Sequence, residues 1–309
     1  MVLLAGLAGA CWASPVRAQT RLAEQVQVIW LDGAPELGQV AYLTVRQRPP
    51  TDTAAPAPRF TVVRGAIDRA PLYFEPHDGA FVALAPVGLD AADSARVTLW
   101  LEDARGRVET VEARVPVRHR AFPVERLTVA PEFSRRPDAA LQARIDREFA
   151  QSRAVSARAL ETPRLWDGVF QTPREARITS GFGLGREFNG ELTSRHTGTD
   201  LDGRTGEPVL AANRGVVALV GDFYYAGNVI YLNHGAGLVT AYMHLSETLV
   251  AAGDTVTPGQ VIGRVGATGR VTGPHLHWMA RHGRVTVDAL SLLSLPELPM
   301  AASGGRGGH

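Results

Sequence analysis

Between Gln25 and Val117 the apolar residues come in short runs separated by turn signals, at 26–31, 40–45, 60–63, 81–84, 97–101 and 108–117. Val97, Leu99 and Leu101 alternate with Arg96, Thr98 and Trp100, the period of a strand with one face packed inward. About six strands at this spacing over roughly 95 residues predict an immunoglobulin-like β-sandwich. His77 falls in a turn context and His119 between two arginines, so both read as surface residues of this unit.

The pattern changes between Phe122 and Pro173. Pro137-Asp138 precedes Leu141, Ile145 and Phe149, an apolar stripe at i, i+4 and i+8 that predicts one helix of about four turns. Asp138 stands where its charge favours the helix dipole. From Ile178 the chain returns to glycine-rich β patterns. Strands are expected at 216–220, 229–234 and 238–244, with Gly235-Ala236-Gly237 as a hairpin turn and Pro258-Gly259 as another. No helical period of useful length occurs from Ile178 to Ala289. The fold class expected is therefore mainly β: a C-terminal antiparallel β-sandwich preceded by the immunoglobulin-like domain and a linker helix.

Composition narrows the function classes. The chain has 309 residues, a formal net charge of +1 and 20% charged residues, so bulk electrostatics favour no nucleic acid. All 32 basic residues are arginine, which excludes chemistry that needs a lysine amine. A biotinyl or lipoyl carrier, suggested by the turn-rich pattern from Gly253 to Gly263, is excluded with it. The first ten residues are apolar but too few to span a bilayer. Val16-Arg17-Ala18 then presents compact residues where a signal peptidase reads them. Residues 1–18 are expected to be a signal peptide, placing the protein in the periplasm or cell envelope with no transmembrane helix after cleavage. Cys11, the sole cysteine, leaves with it; the alternative is a lipoprotein anchored through Cys11. The expected divisions are then 19–121 for the β domain, 122–172 for the linker, 173–298 for the C-terminal domain and 299–309 for a disordered tail, in a monomer.

Of the nine histidines, six lie between His196 and His282, which concentrates the chemistry in the C-terminal third. His275 and His277 are two apart and share one face of a strand. His196 and Asp200 are four apart, and Gly198 between two threonines disfavours a helix there. Two imidazoles and a carboxylate with an open position for water describe a catalytic zinc site. Such a metal lowers the pKa of bound water toward about 7 and polarises a carbonyl; nearby histidines that do not bind it suit proton transfer and oxyanion stabilisation.

His196-Thr197-Gly198-Thr199-Asp200, Tyr242-Met243-His244-Leu245-Ser246 and His275-Leu276-His277 stand in the order and approximate spacing of the motifs of lysostaphin-type (LytM-type) peptidoglycan metalloendopeptidases. Ser180-Gly181-Phe182-Gly183 and Gly266-Ala267-Thr268-Gly269 extend the resemblance over about residues 173–291. The resemblance implies the duplicated hybrid-motif fold of those peptidases and one Zn2+ per chain, held by His196, Asp200 and His277. It implies His275 and His244 as the catalytic pair, one taking the water's proton (His275 favoured) and the other orienting water or stabilising the tetrahedral intermediate, and peptidoglycan peptide cross-links as substrate. Members that have lost catalytic residues act as activators of cell-wall amidases, which is the alternative function; here all five positions are filled. His234 and His282 are expected outside the site, His282 in an exposed turn and His309 in the tail. Arg186 and Asn189 are candidates to line the cleft and equally to stabilise their own loop. With roughly 150 residues ahead of a domain able to fold alone, the N-terminal domain or the linker is expected to cover that cleft.

Overall fold

The computed structural model describes residues 24, 26–48, 60–127, 137–188 and 191–298. The expected signal peptide with Cys11, residue Asn189, and the tail with His309 lie outside the described residues.

The N-terminal strands are β1 (Val26–Trp30), β2 (Val40–Gln47), β3 (Phe60–Ile67), β4 (Ala70–Leu72), β5 (Glu75–His77), β6 (Ala80–Pro86), β7 (Ser94–Asp103) and β8 (Val108–Pro116). They form two antiparallel four-stranded sheets, ordered β1-β2-β6-β5 and β4-β3-β7-β8. That order is the two-sheet arrangement of immunoglobulin-like domains, with one strand added beside β3. Alternation sets the core: Val97, Leu99 and Leu101 are fully buried between the sheets, while Trp100 faces outward beneath the Arg64 guanidinium, 4.8 Å from its ring centroid. The short strands β4 and β5 escape a periodicity reading because three residues hold little alternation. His77 accordingly ends β5 rather than sitting in a turn. The turn is Asp78-Gly79, both at positive φ, as a two-residue hairpin requires.

After β9 (Val124–Leu127) comes α1 (Ala139–Glu161). Asp138 caps it, accepting a 2.8 Å bond from the Leu141 amide. At 23 residues the helix exceeds the four turns expected. Its buried face is Ile145, Ser152, Val155, Ser156 and Ala159, so small and hydroxylic residues continue the stripe where hydropathy falls away. Phe149, expected on the packed face, is about half exposed.

The C-terminal domain contains β10 (Ile178–Ser180), β11 (Gly185–Phe188), β12 (Glu191–Arg195), β13 (Thr199–Asp202), β14 (Pro208–Leu210), β15 (Gly215–Phe223), β16 (Gly227–Gly235), β17 (Leu238–Leu245), β18 (Glu247–Thr248), β19 (Thr255–Val256), β20 (Val261–Arg264), β21 (His275–His282) and β22 (Val285–Val287). The principal sheet runs β10-β13-β21-β17-β16-β15-β19, with β22 on β21, and a three-stranded sheet β14-β20-β18 packs against it. Between them lies a core that includes Tyr242, Trp278, Leu276, Ile230, Val209, Ile262 and Val265. The other face of the principal sheet carries Val229, Tyr231, Val239, Ala241 and Met279, which pack with Val155 and Ala159 of α1. The helix thus lies on the same face as the odd-numbered residues of β21.

The two β units are joined by more than the linker. Val40, Tyr42, Val82 and Leu84 of the first sheet share the C-terminal core. The Val40 amide donates to Ser291 Oγ at 3.1 Å, and Arg120 pairs with Asp288 at 2.9 Å. β9 adds in parallel to β11 in a small sheet β12-β11-β9. Among the described residues, no helix is long and apolar enough to cross a membrane.

Candidate metal centre

Strand pairing brings the sequence-distant residues together. Asp200 of β13 lies opposite His277 of β21, and Asp202 opposite His275. Met243 of β17 flanks His277 on the other side. His196 enters from the loop before β13, and Gly198 lets it close down: a Cβ at Gly198 would stand 2.6 Å from His277 Nε2 and 2.6 Å from the Trp278 carbonyl. No side chain larger than hydrogen fits there.

Three ligand atoms converge. His196 Nε2 is 3.0 Å from Asp200 Oδ1 and 3.0 Å from His277 Nδ1, and His277 Nδ1 is 2.7 Å from Asp200 Oδ1. Four ligands at zinc bond lengths stand roughly 3.3 Å apart, so this triangle needs little expansion to hold such an ion. The hydrogen bonds behind it set its chemistry. His196 Nδ1 lies 2.8 Å from the Gly181 carbonyl, which can only accept, so the proton is on Nδ1 and Nε2 presents a lone pair. Asp200 Oδ2 accepts from Arg186 at 2.9 Å, leaving Oδ1 for the cluster. Burial pushes the Asp200 carboxyl up, but contact with His196 and His277 outweighs it and holds the group well below the usual carboxylate range. Burial likewise pushes His277 down to about 4, so its imidazole is neutral. A carboxylate and two imidazoles gathered at one point supply the mixed oxygen and nitrogen donor set that a divalent ion takes. The residues fit a bound metal, and among the described residues these three form the one His/Cys/Asp/Glu group so arranged.

Two further histidines face the cluster without joining it. His275 donates from Nδ1 to the Gly273 carbonyl at 2.8 Å, and its Nε2 is 3.6 Å from Asp200 Oδ1. His244 donates from Nδ1 to the Thr268 carbonyl at 2.8 Å. Their ring centroids are 4.9 Å apart. The same device therefore fixes one tautomer for each ring in its neutral form, with the proton on Nδ1. Burial, with His277 and His275 nearby, pushes His244 down to about 3.

His244 reaches this position by breaking the strand rule. Tyr242 of β17 points into the core opposite Trp278, and alternation would send His244 the same way. Its φ is +63°, a left-handed conformation that turns the side chain to the cleft instead. The cost of order 1 kcal/mol or more is held by its amide, which donates to the Ala226 carbonyl at 2.8 Å.

The cleft over these residues has a volume of about 650 Å3. Its walls come from the C-terminal domain and from α1, through Ile145, Glu148, Phe149 and Ser152. Among the described residues, none of the N-terminal sandwich lines it, so the expected cover by that domain is not what the structure holds; the linker helix is a wall. Of the two roles open to it, Arg186 takes the cleft-lining one. Arg270, stacked on Tyr225 at 4.4 Å, and Arg281 line it too. Sequence reading missed both, since a lone arginine carries no motif; the sole signal for Arg281 is its even spacing from His275 and His277. His234 lies outside, buried between the Arg214 carbonyl and Thr240 Oγ1. His282 lies outside as well, but it is fully buried rather than exposed in a turn, because β21 runs on through it beneath the hairpin at Gly237.

Comparisons with known proteins place their matches on the same part of the chain. Residues 194–289 match the model of Peptidase family M23. The chain is 44% identical over 109 residues to the peptidoglycan DD-endopeptidase ShyA of Vibrio cholerae, covering 35% of this chain and 24% of that protein. It is 41% identical over 126 residues to the DD-carboxypeptidase/endopeptidase Mpg of Neisseria meningitidis, covering 40% and 29%. The matches thus span less than a third of these relatives' length. A crystal structure of a candidate M23 peptidase from Pseudomonas aeruginosa aligns over 84% of this chain and 96% of its own, with TM-score 0.60 and 26% identity. That likeness extends beyond the metal centre to the mainly β architecture of most of the chain.

Proposed function

We propose that this chain, which carries a Peptidase family M23 domain, is an exported zinc-dependent endopeptidase that hydrolyses amide bonds in peptidoglycan peptide cross-links. The observation that carries the reading is the set of five side chains at one end of a peptide-sized cleft. Three converge on one point, and two stand beside it with Nδ1 held by a backbone carbonyl. The curated relatives named as peptidoglycan endopeptidases support the substrate class.

In this reading His196, Asp200 and His277 hold the ion, and Arg186 orients the carboxylate through its second oxygen. The bound ion supplies a water acidic enough to ionise near neutral pH and a Lewis acid for the scissile carbonyl. His275 accepts the proton of the attacking water at Nε2, its tautomer set by the Gly273 carbonyl. His244, its Nδ1 held by the Thr268 carbonyl, orients the water through Nε2. Against the activator alternative, the presence and convergence of all five side chains support an enzyme.

Digestion of purified sacculi, with product masses read from the released muropeptides, tests the proposal. Cleavage that chelator abolishes and added zinc restores is expected. No cleavage by the metal-loaded protein across several cross-link types, or equal cleavage by His196→Ala, sinks it.

A further inference from the structure

Beyond the metal, the cleft continues along β21 to Arg281. His277 and Arg281 are four residues apart on one face of the strand, roughly 13 Å, and both line the same cleft. Arg281 Nη1 donates to Ser152 Oγ at 2.9 Å and lies 3.4 Å from Ser156 Oγ; Nη2 lies 3.9 Å from Met279 Sδ. All three partners are uncharged. Among the described residues no carboxylate pairs with Arg281, nor with Arg153 or Arg284. Glu148, the acid one turn earlier on α1, is already engaged by Arg144 at 2.6 Å and by the Tyr224 amide at 2.9 Å.

A second hollow of about 260 Å3 opens at this point, lined by Arg153, Arg281 and Arg284 with Ser152 and Ser156, and by no acidic residue. It shares Phe149, Ser152, Arg281 and Thr286 with the main cleft. A guanidinium in a largely enclosed place keeps its charge, and burial pushes Arg281 down from its ordinary value, so an anion arriving there offsets a standing cost. Planar bidentate geometry suits a carboxylate.

We propose that Arg281, positioned by Ser152 and Ser156 of α1 and flanked by Arg153 and Arg284, is a carboxylate subsite that selects substrate. It binds a free carboxylate of the wall peptide three to four residues' length, roughly 13 Å, from the scissile bond. Stem peptides joined through isoglutamyl and diamino-acid residues carry such carboxylates, and amidation removes the charge. The inference rests on the peptidoglycan reading for the identity of its ligand. It also gives α1 a role: the helix supplies the hydroxyls that aim the arginine, so the linker is part of the substrate cleft.

The test is binding, kept separate from cleavage. Full-length protein stripped of metal is titrated with a cross-linked dimeric muropeptide carrying free carboxylates and with its amidated counterpart. Wild type is expected to bind the free acid at least tenfold more tightly. Arg281→Met should abolish that preference while leaving affinity for the amide within a factor of two. Arg281→Lys should retain part of it, and a double Arg153→Gln/Arg284→Gln variant, made on exposed positions, should reduce it where Arg281→Met fails to fold. Equal affinity of the two ligands for wild type, no measurable binding, or an unchanged preference in Arg281→Met overturns the proposal. Absence of cleavage by metal-loaded wild type with the binding preference intact would sink the peptidase reading and leave the subsite standing.

Discussion

Each histidine of the site is distinguished by what holds its far nitrogen or its backbone. His277 offers Nδ1 to the cluster, so His277→Ala is expected to lose the metal. His275 keeps its Nδ1 on the Gly273 carbonyl and stands beside the cluster, so His275→Ala should retain metal and lose turnover by about 10²- to 10⁴-fold. Metal content and kcat measured on both variants check the division. Gly198→Ala places a methyl 2.6 Å from His277 Nε2 and should weaken zinc affinity by about tenfold to hundredfold, read by chelator competition. The spacing of His196, Asp200, His275 and His277 was legible because period and ligand chemistry both speak through residue type. The orientation of His244 was not. Strand alternation assigns it to the core, and its place in the cleft depends on a positive φ that leaves no mark in composition. A motif resemblance named the residue; the backbone explains how it gets there.

At the scale of elements, α1 shows how a polar stretch becomes a structural part. Its midpoint reads as weakly amphipathic because two of its buried positions are serines, yet those serines face Arg281. Length was misjudged for the same reason: the apolar stripe fades at Phe149, while burial continues through Val155 to Ala159. Val155→Ala should destabilise the chain by about 2 kcal/mol through the cavity it leaves. Asp138→Ala should cost about 1 kcal/mol through loss of the cap. Denaturant unfolding of both variants measures this, and a null result for Val155→Ala would mean the helix does not hold its place on the sheet. The long strands were legible in their middles but not at their ends: β3, β7 and β15 run past the apolar runs that mark them, and β21 continues through His282.

For the whole molecule, two buried histidines outside the site couple stability to pH. Burial pushes His234 and His282 each down to about 4. Between the ordinary histidine value near 6.5 and that point, the unfolded chain takes up protons that the folded chain refuses. Stability is therefore complete above about pH 6.5 and falls as pH drops toward 4, by up to about 3 kcal/mol for each group. Thermal midpoints recorded with chelator from pH 7 to 4.5 should fall for wild type and fall less steeply for His234→Gln, whose amide retains hydrogen-bonding capacity toward Arg214 and Thr240.

The sequence by itself determined the β class of each half and marked the histidines and aspartate that the fold brings together. Hydrophobic period encodes strand and helix, and metal-ligating side chains declare themselves by type. Tertiary structure alone decided which atoms face one another. It placed Asp200 opposite His277 by strand register, set the imidazole tautomers by carbonyls from the Gly181, Gly273 and Thr268 segments, and buried His282 by extending β21. It also laid α1 along the cleft, with Arg281 beneath it. These are contacts between segments far apart in the chain, and no local pattern of residues carries the distance between them.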